Sequence, residues 1–533
     1  LITKPYIAAR FLLPTILVTG SAVYAQERDL TGYQQILEYT QSTEIPASII
    51  DGVPLMQVEA ADGVGRYMSS AGSGTFTVVS GDFIDKTLTN ESDLNQGQSG
   101  HAATVANRFY SIDSYITGLN PVFLYESGDF FNNRLLNGEV EDFPGRIASH
   151  AYVGIEANES QEVLFQDLMN RYDYAASTGN TLMVSGLNNG GGTSVPTLWG
   201  QSYNGLSVGR TNGDHSRGGT LDNFEEFGIA GGRTKPDIVA PDTATSWATG
   251  QVASGAAYVY GYADSLGHTI ITDNTDLQKA IILAGASKEE FPNWANMSSD
   301  ATATTPLDPV FGAGELNVFN SHRIIEGGEP VNGVLPLHGW IRETNVGAND
   351  VTYSFTIPEE AGNVEINAAL CWHRNIIETT ETVGFGFFSL TNVIYQPELA
   401  IGDLRLELSG GELTEAIVSD SAVDNVEYLY VPELAPGTYT ITISNNDGSD
   451  PTDAGFAWRI NLGEDSSVTS STINTTGLEL SNLVPGVRYE IWESDDLTEF
   501  TLTEQFKATS NTESWTAPTD TGESHFYRIK FWR

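Results

Sequence analysis

Residues 234–257 run TKPDIVAPDTATSWATGQVASGAA, an extended apolar tripeptide between two prolines followed by a stretch with alanine or glycine at 248, 250, 253, 255, 256 and 257. A helix with so few bulky side chains buries little apolar area alone. It becomes stable when its backbone presses against a sheet, and that close contact holds its first turn rigidly. Ser246 stands in that turn. The helix dipole and free N–H groups there stabilise a developing anion, and rigid placement is what acyl transfer requires. Taken alone, a serine at this position is equally a helix cap.

The texture around this segment sets the architecture. Up to about residue 325, strand-like VPLMQVEA and NTLMVSGL mix with helix-like HAATVANRFYSI. Such mixing predicts an α/β domain with a mostly parallel sheet over 46–328. Beyond IIEGGEPVNG, the segments VTYSFTIPE, NVEINAALCW, DLRLELSGG, NVEYLYVPEL and GTYTITISNN alternate with period two between turn residues, which predicts an all-β sandwich over 329–465. The polar stretch 466–477 is expected to be a linker, and 478–533 a small aromatic-rich β module. Its Trp492, Phe500, Trp515, Phe526 and Tyr527 are expected mostly as core rather than as a carbohydrate platform.

Lys4 and Arg10 precede the apolar run FLLPTILVTGSAVYA, so residues 1–25 are expected to be an export signal and 26–45 a short N-terminal segment. The chain is then expected to be secreted, extracellular or periplasmic, and bacterial. No later run reaches membrane-spanning length. The charge balance, 25 Lys and Arg against 69 Asp and Glu, argues against nucleic acid as a partner. Cys371 is the single cysteine. It has no internal disulfide partner, and its strand pattern marks it as a buried thiol.

KPDIVAP followed closely by TSWATGQVA resembles the subtilases, a family of subtilisin-like serine proteases, in the segment around their nucleophile. That resemblance implies Ser246 as nucleophile, and GHAATVAN then supplies His101 as its base. In VPLMQVEAADGVG, Glu59 takes the place of the family's aspartate, with Asp62 as the alternative triad acid. TLMVSGLNNGGG places Asn188 where the family has an oxyanion-hole asparagine. The order acid, histidine, serine is also that of subtilisin. The implied activity is hydrolysis of peptide bonds in proteins or peptides through an acyl-enzyme.

The sequence departs from that pattern at several points. A glutamate replaces the aspartate, Ala244 and Gly250 replace a glycine and a proline flanking the serine, and the connection before Ser246 is short. These departures leave a second reading, a catalytically degenerate scaffold that binds a surface or polymer; a sedolisin-like acid and serine is a third, against which His101 counts. The 329–465 region resembles the jelly-roll-like domain that follows the catalytic domain in some large bacterial subtilases. In relatives that domain can bind calcium. A structural Ca²⁺ site is conceivable at SNNDGSDPTD (444–453), although a polar turn explains that segment as well. Zinc motifs are absent.

Overall fold

The computed structural model describes residues 28–92, 94–154, 159–192, 194–221, 231–296, 302–303, 305–347, 349–385, 388–398, 402–446, 452–462, 472–474, 477–494, 499–516 and 526–532. The expected signal segment, most of the 466–477 linker and the centre of SNNDGSDPTD lie outside them.

The first unit is built on strands β1 (Leu55–Glu59), β2 (Thr75–Thr77), β3 (Thr87–Asn90), β4 (Pro121–Glu126), β5 (Ile147–His150), β6 (Leu182–Gly186), β7 (Leu206–Arg210) and β8 (Ile238–Ala240). They form one sheet in the order β8-β7-β6-β5-β1-β4-β3-β2. All neighbours pair in parallel except the edge strand β2, which is antiparallel to β3. From β1 the chain runs to the far edge, works back inward through β2, β3 and β4, then crosses to the other side of β1 and builds outward from β5 to β8. That places the topological switch, and the crevice it opens at the strands' carboxyl ends, beside β1.

The helices are α1 (Tyr33–Thr40), α2 (Gly100–Phe109), α3 (Glu159–Thr178), α4 (Thr245–Ser265), α5 (Thr275–Gly285) and α6 (Val318–Gly327). Met56 and Val58 of β1 join Leu168, Met169 and Tyr172 of α3 in one core. Leu55 joins Val252, Ala253 and Ala256 of α4 in the other. Successive strand residues face opposite ways, so Gln57 and Glu59 share the face of Leu55. The small residues of α4 serve close approach, as expected. A Cβ on Gly255 would lie 2.8 Å from Val318 Cγ2, and one on Gly250 would lie 2.7 Å from the Val105 carbonyl oxygen of α2. Helix α1 is part of this body, with Tyr33, Ile36 and Tyr39 buried and the Tyr39 ring 5.3 Å from that of Phe319.

Asp237, at the foot of β8, is 2% exposed and is the centre of a buried charge cluster. It accepts from the Ser207 N–H (2.7 Å), the Ser207 hydroxyl (2.6 Å) and Lys235 Nζ (2.9 Å), with Lys279 Nζ at 3.2 Å. Burial alone would raise its pKa, but Lys235, Lys279 and the Ser207 hydrogen bonds hold it well below the carboxylate range. Asp237→Ala would leave two lysines buried without their counter-ion, so urea denaturation should show a loss of about 3–5 kcal/mol at neutral pH. Because the folded-state pKa is depressed, the wild-type contribution is present above the ordinary Asp pKa and is lost as pH falls through the folded value. Unchanged stability in the variant would remove the cluster's structural role.

Beyond α6 the described residues form β strands and loops, with one short 3-10 turn at Glu359–Ala361. One sheet orders His338–Val346, Thr452–Leu462, Val364–Trp372 and Val426–Leu434; the other orders Thr302–Ala303, Ile417–Ser419, Leu404–Gly410, Gly437–Asn445 and Val351–Ile357. Ala368, Leu370 and Trp372 face the second sheet, within a core shared with Phe355, Leu406 and Ile441. Ala369 and Cys371 face the α/β unit and join its core. A Cβ on Gly455 would lie 2.4 Å from Leu277 Cα of α5, so this sheet is seated directly on that helix. Cys371 is buried and unpaired, and burial pushes its thiol pKa up.

The terminal β strands pack back on the N-terminal segment. Arg488 donates to Glu326 Oε1 (2.6 Å) and to the Tyr39 carbonyl (3.2 Å), and the Trp532 ring lies 5.2 Å from that of Tyr39. Trp515 and Tyr527 pack against the sandwich core, whereas Phe526 is exposed.

Candidate active site

Strand β1 ends on Glu59, and α2 begins at Gly100 with Ser99 as its N-cap, whose hydroxyl accepts from the Ala102 N–H. His101 therefore stands in the first turn of α2, opposite the carboxyl end of the central strand. Glu59 Oε2 lies 2.8 Å from His101 Nδ1. The carboxylate is 1% exposed and the imidazole 41%, so an acid buried in the protein grips a ring that reaches solvent. Burial by itself lowers the His101 pKa; the hydrogen bond and charge of Glu59 outweigh it, and the net shift is upward from 6.5. With Nδ1 engaged by the carboxylate, Nε2 is left to act on a substrate or nucleophile.

A buried carboxylate is tolerable only with its remaining lone pairs satisfied. Gln57 does this from the same face of β1: its Nε2 donates to Glu59 Oε1 and to the Ala102 carbonyl, each at 2.9 Å. Tyr110 in turn donates to Gln57 Oε1 (2.5 Å) and is hydrogen-bonded to Ser69 Oγ (2.7 Å). Gln57 thus links acid strand and histidine helix. Sequence reasoning passed over it, although its two-residue offset from Glu59 on a strand was the available signal.

Asp62 is placed elsewhere. Its Oδ1 accepts from the N–H groups of Val64 (3.0 Å) and Arg66 (2.9 Å), and its Oδ2 from Arg66 Nε (2.9 Å). The Arg66 N–H and these other contacts hold its carboxyl below the usual range. Asp62 shapes a local turn, and Glu59 is the acid that meets the histidine.

Ser246 is the second residue of α4, and its hydroxyl donates to the Ala151 carbonyl at 3.2 Å. Trp247, the next residue, lies with its ring 5.0 Å from the His101 ring. The two helices approach through Gly250, which explains a glycine four positions after the serine: any side chain there would push α4 off α2. The short connection before the serine is pinned from three sides. Arg108 of α2 pairs with Asp242 at 3.1 Å, both side chains buried. Arg210 Nε donates to the Asp242 carbonyl (3.0 Å) and Gln251 Nε2 to the Pro241 carbonyl (2.9 Å). Arg108 lies seven residues after His101, two helical turns on the same face. Behind Ala151, His150 Nδ1 meets the Tyr152 hydroxyl at 3.2 Å and Trp199 Nε1 donates to that hydroxyl at 2.9 Å. Burial drives the His150 pKa down to about 3.

Asn189 is the asparagine that meets the start of α4, and Asn188, the expected oxyanion residue, is its neighbour in the same loop. Asn189 Oδ1 accepts from the Thr245 N–H (3.0 Å) and hydroxyl (3.2 Å). Asn188, exposed as Asn189 is, spends its backbone on Ser216, donating to its Oγ (3.0 Å) and accepting from its N–H (2.9 Å).

No group of three or more His, Cys, Asp or Glu side chains able to hold a metal ion occurs among the described residues. Asp453, the described acid of the SNNDGSDPTD segment, is paired with Arg342 at 3.0 Å. No described helix is long and apolar enough to cross a membrane.

Together, fold and site give an α/β protein in which a buried carboxylate holds an imidazole whose ring lies 5.0 Å from that of Trp247, the residue after a helix-borne serine. No family model matches the chain, and no curated protein matches it. Among solved structures, it is similar to the epidermin leader peptide processing serine protease (EpiP) of Staphylococcus aureus, at 10% identity over 59% of this chain and 84% of that one, with a TM-score of 0.36. It is similar to the PatG macrocyclase in complex with peptide, at 12% identity over 54% and 94%, TM-score 0.31. It is also similar to tripeptidyl peptidase 2, at 11% identity over 67% and 38%, TM-score 0.21. Likeness at this level carries no functional argument, which rests on the geometry above.

Proposed function

We propose that this protein is a serine endopeptidase in which Ser246 is the nucleophile, His101 its general base and Glu59 the acid that orients the base. The observation that carries this reading is the 2.8 Å contact between buried Glu59 and half-exposed His101, next to the helix turn that bears Ser246. In the reaction, the serine hydroxyl turns from the Ala151 carbonyl toward His101 Nε2, gives up its proton and attacks a peptide carbonyl. Glu59 stabilises the imidazolium that forms, the imidazolium protonates the departing amine, and water releases the acyl-enzyme. With its Oδ1 committed to Thr245, Asn189 has its Nδ2 donor free for the oxyanion, alongside the Ser246 N–H at the positive end of α4.

The test is covalent labelling with a fluorophosphonate, mapped by mass spectrometry. Labelling at Ser246 that disappears in His101→Ala supports the reading; a folded protein that never labels would favour the scaffold alternative, for which the Ser246–Ala151 hydrogen bond speaks. The assignment of the amide has its own test. Asn189→Ala should lower kcat by ~10²- to 10³-fold with little change in KM, while Asn188→Ala should leave kcat near that of the wild type. The reverse ranking would return the oxyanion role to Asn188. Residues 1–25 motivate the further proposal that the peptidase acts after export.

A further inference from the structure

Lys288 lies three residues beyond α5, where the α/β unit meets the four-stranded sheet, and is 6% exposed. Its Nζ donates to the Ala286 carbonyl (3.3 Å), to Asn367 Oδ1 (2.6 Å) and to the Tyr428 hydroxyl. The rings of Trp294, Tyr428 and Tyr430 surround it at 5.2, 4.5 and 5.1 Å. These hydrogen-bond partners are all neutral. Burial, reinforced by Arg459 and only partly opposed by Glu365, puts the Lys288 pKa well below that of an ordinary lysine.

Asn367 faces it from the strand Val364–Trp372 and is fully buried. Its Nδ2 donates to Glu365 Oε1 at 2.7 Å, and its Oδ1 also accepts from the Tyr428 hydroxyl at 3.0 Å. With a C=O bond of about 1.23 Å, the Asn367 amide carbon is at most ~3.8 Å from Lys288 Nζ, close to the separation of a near-attack pair. Amine, amide and carboxylate thus meet at one junction, joining residues 79 apart in the chain; the carboxylate is itself 30% exposed and paired with Arg459 at 3.1 Å.

We propose that Lys288 and Asn367 form an intramolecular isopeptide bond that covalently ties the α/β unit to the β-sandwich. The Nζ lone pair adds to Asn367 Cγ, forming the new C–N bond and moving charge onto Oδ1, where the Tyr428 hydroxyl donates. One proton leaves Nζ, passes through the Glu365 carboxylate and arrives on Nδ2. The carbonyl re-forms, the Cγ–Nδ2 bond breaks, and ammonia departs. A primary amine and a primary amide become a secondary amide and ammonia; no oxidant, reductant or co-reactant is needed. Because the bond closes a long loop, it removes freedom from the unfolded chain as a disulfide would.

The experiment uses the full-length chain carrying Ser246→Ala, so that self-cleavage cannot intervene, and does not depend on peptidase activity. Intact-mass spectrometry should show the loss of one ammonia, and digestion should yield a branched peptide joining the segments around Lys288 and Asn367. The branched peptide separates this loss from any other loss of ammonia along the chain. Lys288→Arg and Asn367→Ala should each abolish it. Glu365→Gln, checked as folded by circular dichroism, should retain two linear peptides; cross-linking in that variant would overturn the carboxylate's part. A folded parent chain yielding only linear peptides at 288 and 367 overturns the proposal and leaves Lys288 as a buried hydrogen-bond donor.

Discussion

Alanine at position 246 should reduce peptide-bond hydrolysis by ~10⁶-fold in kcat, to the residual rate provided by binding and oxyanion donors alone. The expectation follows from the site's economy: within the first turn of α4, no second hydroxyl shares both the helix N-terminus and the neighbourhood of His101. Thr245, the nearest candidate, is buried and committed through its hydroxyl to Asn189. His101→Ala should cost about as much, and the double variant scarcely more, because nucleophile and base act as a unit. Hydrolysis of a quenched fluorescent peptide library by wild type and variants measures all three. Cleavage persisting at the wild-type rate in Ser246→Ala would refute the proposed nucleophile.

The second large effect is expected at Glu59. Glu59→Gln preserves volume and can keep the hydrogen bond to Gln57, but it removes the charge that fixes the imidazole tautomer and stabilises the imidazolium. A loss of ~10⁴-fold in kcat is expected. The pH profile should move with it, in a direction set by the two opposing causes at His101. The base works when neutral, so wild-type activity rises as pH rises through a pKa lifted above 6.5 by Glu59. In the variant, burial remains and the carboxylate does not, so the acid limb of kcat/KM should shift to lower pH. A variant with reduced kcat but an unmoved acid limb would mean that Glu59 only packs the site.

Several parts of this arrangement were legible in the sequence because they depend on local chemistry. The alanine and glycine positions after Ser246 declare a helix pressed on its neighbours, and Gly250 and Gly255 meet Val105 and Val318 at distances no other residue tolerates. The alternation NVEINAALCW marks a strand, and its two faces went to two different cores. Other parts were not legible. Glu59 and Asp62 stand three residues apart and look alike as acids; the decision came from the turn Asp62–Arg66, which captures the aspartate through two backbone N–H groups. Asn188 and Asn189 are identical side chains, and only the fold shows that Asn189 Oδ1 meets Thr245 while the Asn188 backbone pairs with Ser216.

The sequence by itself determined the order of the elements, the buried small-residue helix and the kinds of group that gather at the carboxyl end of β1, since periodicity and side-chain size are local properties of the chain. Tertiary structure showed which acid meets His101 and which asparagine meets Thr245. It also brought Arg108 to Asp242 and Lys288 to Asn367, pairs 134 and 79 residues apart. The physical reason is common to all of them: a hydrogen bond requires about 3 Å and the right direction. For residues far apart in sequence, only the packing of helices on sheets sets that distance.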